Sequence, residues 1–166
     1  YSVTPELEER VCIELLPIQT RSSNSGVTEY KRFPDEWKVV ALDIDEPDAM
    51  QDSLRHVSET TRVTPDEARR LGFEVGEGEI DLYRVGDDGL VEIPRWRHAV
   101  INFPHPLLKQ GLVILDTPGL NAIGAEPELT LSLLPNAHAV LFILAADTGV
   151  TQSDLTVWRD HIGSAG

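Results

Sequence analysis

The rhythm of apolar and polar positions changes near Pro94. Before it, apolar stretches are short and broken by turn-forming residues. Residues 11–19 (VCIELLPIQ) read as a strand. Pro17 brings no N–H to a ladder, which places that strand near an edge or at a bulge. The polar stretch 21–26 (RSSNSG) reads as loop. Residues 37–44 (WKVVALDI) predict a second strand that ends in an acidic turn. Pro47 then suits a first helical position, and Met50, Leu54 and Val57 recur at helical spacing behind it. The best-marked element of this half is a short helix with Thr64 as N-cap and Pro65 as its first residue. Glu67 closes its capping box and Gly72 ends it. Residues 79–85 and 90–93, separated by GDDG, predict a small polar hairpin.

After Pro94 the apolar runs lengthen. Residues 97–103 (RHAVINF) and 112–116 (LVILD) predict strands joined by the seven-residue turn PHPLLKQ, which closes on Gly111. That short connection predicts antiparallel pairing. Residues 137–145 (AHAVLFILA) form a nearly unbroken apolar run. Strands apolar on both faces belong to sheets covered by helices on both sides. Pro127 to Leu134 is helical by composition, so 137–145 is expected parallel to 112–116 across a helical crossover. A further helix opens at Thr151 with Asp154 three residues on. Val150 is placed to staple Leu155, and Leu155, Trp158 and Ile162 share one face. Residues 97–162 thus read strand, strand, helix, strand, helix, the second half of an α/β nucleotide-binding fold. Residues 28–94 read as an α+β elaboration attached to it, and no internal repeat is present.

Composition narrows the functional classes. The 166 residues suit one domain, with 41% apolar and 25% charged residues. No apolar run is long enough to span a bilayer. The first residues, YSVTPELEER, lack the pattern of a signal peptide. The single cysteine, Cys12, can form no internal disulfide, which fits a reducing, cytoplasmic setting. Twenty-eight acids against 14 bases give a net charge of -14. Nucleic acid and anionic lipid are bound chiefly through Lys and Arg, so neither is expected as a direct partner of this stretch.

The chemistry is concentrated in LVILDTPGL, residues 112–120. An apolar strand ends at Asp116 and the chain turns at once through Pro118 and Gly119. A carboxylate at the carboxyl end of a buried strand lies where open α/β sheets bind ligands. Mg²⁺ prefers oxygen ligands and retains water, so one carboxylate can hold it through a water molecule. Gly119 has no Cβ, and its amide can approach a terminal phosphate closely. Asp, Pro and Gly are also ordinary turn residues, so DTPG alone reads equally as a strand-ending turn. Its surroundings favour the sensor: the following NAIGAE (121–126) is loose and polar, and the next strand and capped helix follow in order.

The stretch VINFPHPLLKQGLVILDTPGLNAIGAEPELTLSLLPNAHAVLFILAADTGVTQSDLTVWRDHI resembles the dynamin family of large GTPases, and its bacterial members most. The matching features are Asp-x-Pro-Gly at 116–119, Leu-Pro-x-Ala-x-Ala at 134–139 and Ala-Asp-x-Gly-Val-Thr-x-Ser-Asp at 146–154. The resemblance is specific over about 100–162; RVCIELLPIQTR is only loosely similar. It implies an incomplete P-loop-NTPase-like α/β sheet with flanking helices, plus the α+β elaboration. The chain is expected to be one partial GTPase domain: a leading strand and loop at 1–27, an insertion at 28–94 and the conserved half at 95–166. The parent protein would bind and hydrolyse GTP with Mg²⁺ to drive conformational change or membrane remodelling. Asp116 would be the water-mediated magnesium contact and Gly119 the γ-phosphate amide, with Thr117 and Pro118 shaping the loop. Asp147 resembles a residue after the family's next strand, although an ordinary strand-end carboxylate is the commoner reading. Partners implied are the rest of the same polypeptide and a second copy across the nucleotide face. Membrane would be reached only through regions outside this stretch.

The pattern also breaks. No Gly-x-x-x-x-Gly-Lys-[Ser/Thr] occurs, because Lys31, Lys38 and Lys109 are the only lysines and none follows a glycine. Asn-Lys-x-Asp and Thr-Lys-x-Asp are missing too, and position 120 is Leu, not the water-orienting Gln of small GTPases. Thr20 or Thr28 would be imitations of the family's switch threonine. These 166 residues alone are therefore expected to be inactive, with no bound cofactor. Two rivals stand. VVALDID (39–45) places Asp43 and Asp45 as haloacid-dehalogenase-type phosphatases do, but Asp45 or Glu46 capping the helix at Pro47 explains it more simply. The other rival is a nucleotide-free interaction module on a degenerate GTPase scaffold. No His-x-x-x-His or Cys-x-x-Cys pair points to a transition metal.

Overall fold

The computed structural model describes residues 11–23, 25–76, 83–116, 137–141, 143 and 149–162. Residues 1–114 and 115–166 form two separate compact units. The first is built on a three-stranded antiparallel sheet of β1 (Cys12–Pro17), β2 (Lys38–Ala41) and β7 (Trp96–Asn102), in the order β2-β1-β7. β1 lies in the middle, with Cys12 opposite both Ala41 and Asn102. Its run Cys-Ile-Glu-Leu-Leu is apolar on either side of Glu14, and the adjacent Leu15 and Leu16, which point to opposite faces, are both covered. Ile13, Leu15 and Leu16 are fully buried. Pro17 sits at a slip in the β1–β7 register. Of the two positions its missing N–H permits, the bulge is the one adopted, and the strand is central.

Helix α2 (Pro47–Arg55) follows β2 with Pro47 at its start, as the apolar spacing predicts. Its Met50 packs with Val11, Val40, Trp96 and Ala99 against Ile13, Leu15 and Leu42. Glu46 occupies the N-cap, but its side chain accepts no capping bond. The acidic turn is held instead by the Asp43 carboxylate, which accepts from the Asp45 amide at 3.1 Å. That corrects the expected Asp45 or Glu46 cap: one residue pair earlier, a local Asx bond closes the turn.

A second apolar cluster gathers Ile18, Val63, Ala68, Leu71, Phe73, Tyr83, Val91 and Ile93. It is framed by α3 (Pro65–Arg70) and by β3 (Thr60–Val63) paired antiparallel with β6 (Val91–Pro94). Thr64 caps α3 by accepting the Glu67 amide at 3.2 Å. The Glu67 carboxylate meets Arg70 at 3.5 Å, so one half of the expected capping box is formed. Gly72 ends the helix with φ of 81°, a left-handed conformation that a Cβ disfavours. Further on, Val85 bridges Val91 around Gly86 to Gly89, as the GDDG hairpin predicts. Beyond that turn the pairings differ from a closed hairpin. β6 takes β3 as its ladder partner, and β5 (Tyr83–Arg84) runs parallel to β4 (Val75–Gly76). β3 escaped the periodicity reading because it is only four residues long, although Thr60, Thr61 and Val63 are β-branched.

β7 occupies the strand expected at 97–103, but its partner is β1 and not 112–116. Among the described residues no ladder reaches 112–116, so the antiparallel pairing predicted between 97–103 and 112–116 is not formed there, and the parallel pairing predicted for 137–145 falls partly on residues outside the described ones. β7 takes β1 as its partner from Trp96 to Asn102, and Ile114 is left 74% exposed. In the second unit, helix α5 (Gln152–Val157) carries the full capping box foreseen from Thr151 and Asp154, and a π-helical turn (Trp158–Ile162) follows. Val150 and Leu155 are both exposed. The helix expected at 127–134 lies outside the described residues.

Candidate functional site

The chain reaches the DTPG segment through a compact turn. After β7, the His105 ring accepts the Leu107 amide at 3.3 Å and caps the four-residue helix α4 (Pro106–Lys109). Gly111, with φ of 91°, then reverses the chain, and the Leu112 amide bonds back to the Leu107 carbonyl at 3.4 Å. Residues 112–116 follow without regular structure, ending on an exposed Asp116. Thr117, Pro118, Gly119, the segment 120–126 and Asp147 all lie outside the described residues.

Asp116 offers a solvent-facing carboxylate, a hard oxygen donor that suits Mg²⁺ held through water. Among the described residues no group of three or more His, Cys, Asp or Glu side chains is placed to hold a metal ion. The other donors to any ion at Asp116 would have to come from outside these residues. Of the two threonines considered as switch residues, Thr20 is buried and its hydroxyl donates to the Pro17 carbonyl at 2.7 Å. Its proton is thereby held by the main chain of its own turn. Thr28 lies in α1 (Val27–Tyr30). Asp43, the first carboxylate of the phosphatase-like string, is spent on its own turn.

The most polar built-up cluster was not read from sequence. Trp96 Nε1 donates to the His56 carbonyl at 2.6 Å, and the His56 ring bonds the Glu59 carboxylate. Arg95 approaches the other Glu59 oxygen at 3.3 Å and lies 5.1 Å from the Trp96 ring centre, while the Lys38 ammonium lies 5.4 Å from it. The His56 bond holds Glu59 below the usual carboxylate range; burial opposes it, and the charges of His56, Arg95 and Lys38 reinforce it. The cluster joins the end of α2 to β7, a joint between elements far apart in sequence. Its one trace in the sequence is Trp96 flanked by Arg95 and Arg97.

Comparison with known proteins supplies the frame for Asp116. A model of the dynamin family matches residues 11–164. A bacterial dynamin-like protein of Nostoc punctiforme (strain ATCC 29133 / PCC 73102) is 36% identical over 69 residues, covering 42% of this chain and 10% of its own. The isoniazid-induced protein IniA of Mycobacterium tuberculosis (strain ATCC 25618 / H37Rv) is 42% identical over 82 residues, covering 43% of this chain and 12% of its own. The chain thus spans about a tenth of the length of these relatives. No solved structure matches significantly. A family match running from β1 through the capped helix α5 takes in the α+β elaboration as well as the DTPG segment, and the chain belongs to the dynamin family of GTPases.

Proposed function

We propose that this chain is part of a dynamin-like protein that binds and hydrolyses GTP to drive a conformational change, with Asp116 to Gly119 as its γ-phosphate and magnesium sensor. The observation that carries the reading is Asp-Thr-Pro-Gly directly after the apolar run Leu112–Leu115, inside a chain matched by the family model over 11–164. Asp116 would hold Mg²⁺ through water, and the Gly119 amide would meet the terminal phosphate; Thr117 and Pro118 would shape the loop between them. Bound Mg²⁺ would neutralise charge that develops on the transferring phosphate. Activity of the whole protein would rise with its concentration, as dimerisation across the nucleotide face requires. Membrane contact would fall to regions outside these residues, since no described helix is long and apolar enough to cross a bilayer.

The residues that would cradle the phosphates are not in this sequence. Such a cradle supplies about four charge-assisted hydrogen bonds of roughly 1.5–3 kcal/mol each. Without them affinity falls by at least ~6 kcal/mol, more than about four decades. Residues 1–166 expressed alone are therefore expected to bind no GTP measurably by calorimetry. In the full-length protein, Asp116→Ala should lower Mg²⁺-dependent phosphate release about a hundredfold while the circular dichroism stays unchanged, because the carboxylate is exposed. Equal release by wild type and variant removes the sensor. A second reading is a nucleotide-free interaction module on the same scaffold. A full-length protein that fails to bind GTP would establish it.

A further inference from the structure

The first unit holds two apolar clusters, one on the three-stranded sheet and one under β3 and β6. The chain crosses between them repeatedly, and two crossings lie side by side at a neck, from Leu15 to Ile18 and from Ile93 to Trp96. The ladder slips at this neck. Leu16 lies opposite His98 and Pro17 opposite Trp96, which leaves Arg97 as the extra residue of a bulge. A bulge re-aims the side chain it carries. Here the Arg97 guanidinium donates to the carbonyls of Thr20 at 3.2 Å and Ser25 at 3.1 Å.

Both acceptors belong to the segment that leaves β1. The same segment reaches the other cluster. Ile18 is one of its buried members, and the Ile18 amide donates to the Arg95 carbonyl at 2.9 Å. The Arg21 guanidinium lies 4.9 Å from the centre of the Phe73 ring, also in that cluster. The Thr20 carbonyl accepts the Ser23 hydroxyl at 2.9 Å as well, which closes the segment on itself.

We propose that residues 18–23 together with Ser25 are a clasp, pinned by Arg97, that makes the two clusters open and move as one body. One guanidinium nitrogen serving two main-chain carbonyls fixes the path of the segment, whatever side chains it carries. A planar guanidinium suits that task better than a compact ammonium. The clasp follows from the fold of the first unit and is independent of any nucleotide role for Asp116.

Hydrogen exchange in rising urea, on the full-length protein and its Arg97→Ala and Arg97→Lys variants, tests it. In wild type the β1–β7 and β3–β6 ladders should exchange through a common opening. Arg97→Ala should speed exchange of the clasp amides by about tenfold or more, and the two ladders should then open at different urea concentrations. Arg97→Lys should show the same separation to a smaller degree, and it carries the test if the alanine variant does not fold. Unchanged exchange of the clasp amides in both variants overturns the proposal. So does parallel loss of protection in clasp and both ladders, which is how a general loss of stability would behave.

Discussion

Glu59 puts a sign on the pH dependence of this fold. Its folded-state pKa is depressed, first by the His56 hydrogen bond. A depressed carboxylate contributes stability that is fully present above the ordinary glutamate value of about 4.3 and is lost as pH falls through the folded value. Glu59→Gln should therefore be less stable than wild type at neutral pH, and the gap should close on acidification below that value. Urea unfolding from about pH 3 to pH 7 measures it, and a gap constant across the range rejects the role. Thr64 poses a simpler case. Its oxygen accepts the Glu67 amide at the start of α3, so Thr64→Ala should cost about 1 kcal/mol. Denaturant midpoints at constant m-value read that loss, and a neutral result would mean that water replaces the cap.

Among the elements, α3 and the β3–β6 pair carry the second cluster and show how short pieces become stable. A helix of six residues and strands of four are marginal alone. They persist because each turns an apolar face inward, and Ile93 and Val91 are buried completely. Ile93→Ala should cost about 2–5 kcal/mol, the range for a large-to-small change in a closed core. Calorimetry would show it, and a loss under about 1 kcal/mol would mean that the cluster collapses into the gap. The stop of α3 is as specific. At Gly72, with φ of 81°, an added Cβ would also meet the Arg21 guanidinium at 3.4 Å. Gly72→Ala should destabilise by about 1–2 kcal/mol.

The whole chain carries a net charge of -14, and its described ion pairs do little to offset it. Asp52–Arg55, Asp66–Arg69 and Glu67–Arg70 are local pairs on exposed helix faces, and such pairs contribute about 0–1 kcal/mol each. Self-repulsion therefore dominates the long-range electrostatics. Raising salt from roughly 0.01 M to 0.15 M shortens the screening length from about 30 Å to 8 Å. Thermal midpoints should rise over that interval. A fall would show that the ion pairs outweigh the repulsion.

Local chemistry made part of this molecule legible from its residues alone. The caps at Thr64 and Thr151, the helix start at Pro47 and the GDDG turn each depend on neighbours within a few positions. The dynamin resemblance was legible for the same reason, being carried by contiguous strings of residues. Strand partners were not. The apolar run within 97–103 marks a strand but carries no address, and tertiary packing chose β1 where a short connection pointed to 112–116. β3 became a strand only because β6 lies beside it. For the candidate site, sequence alone supplied Asp116 and its motif, while the structure showed that Thr20 is committed to the Pro17 carbonyl. Arg97 owes its role to partners more than seventy positions away, and Glu59 adds to its neighbour His56 the distant Arg95. Periodicity and motif spacing describe what a segment prefers; which segment satisfies that preference is settled by the competition for burial across the whole chain.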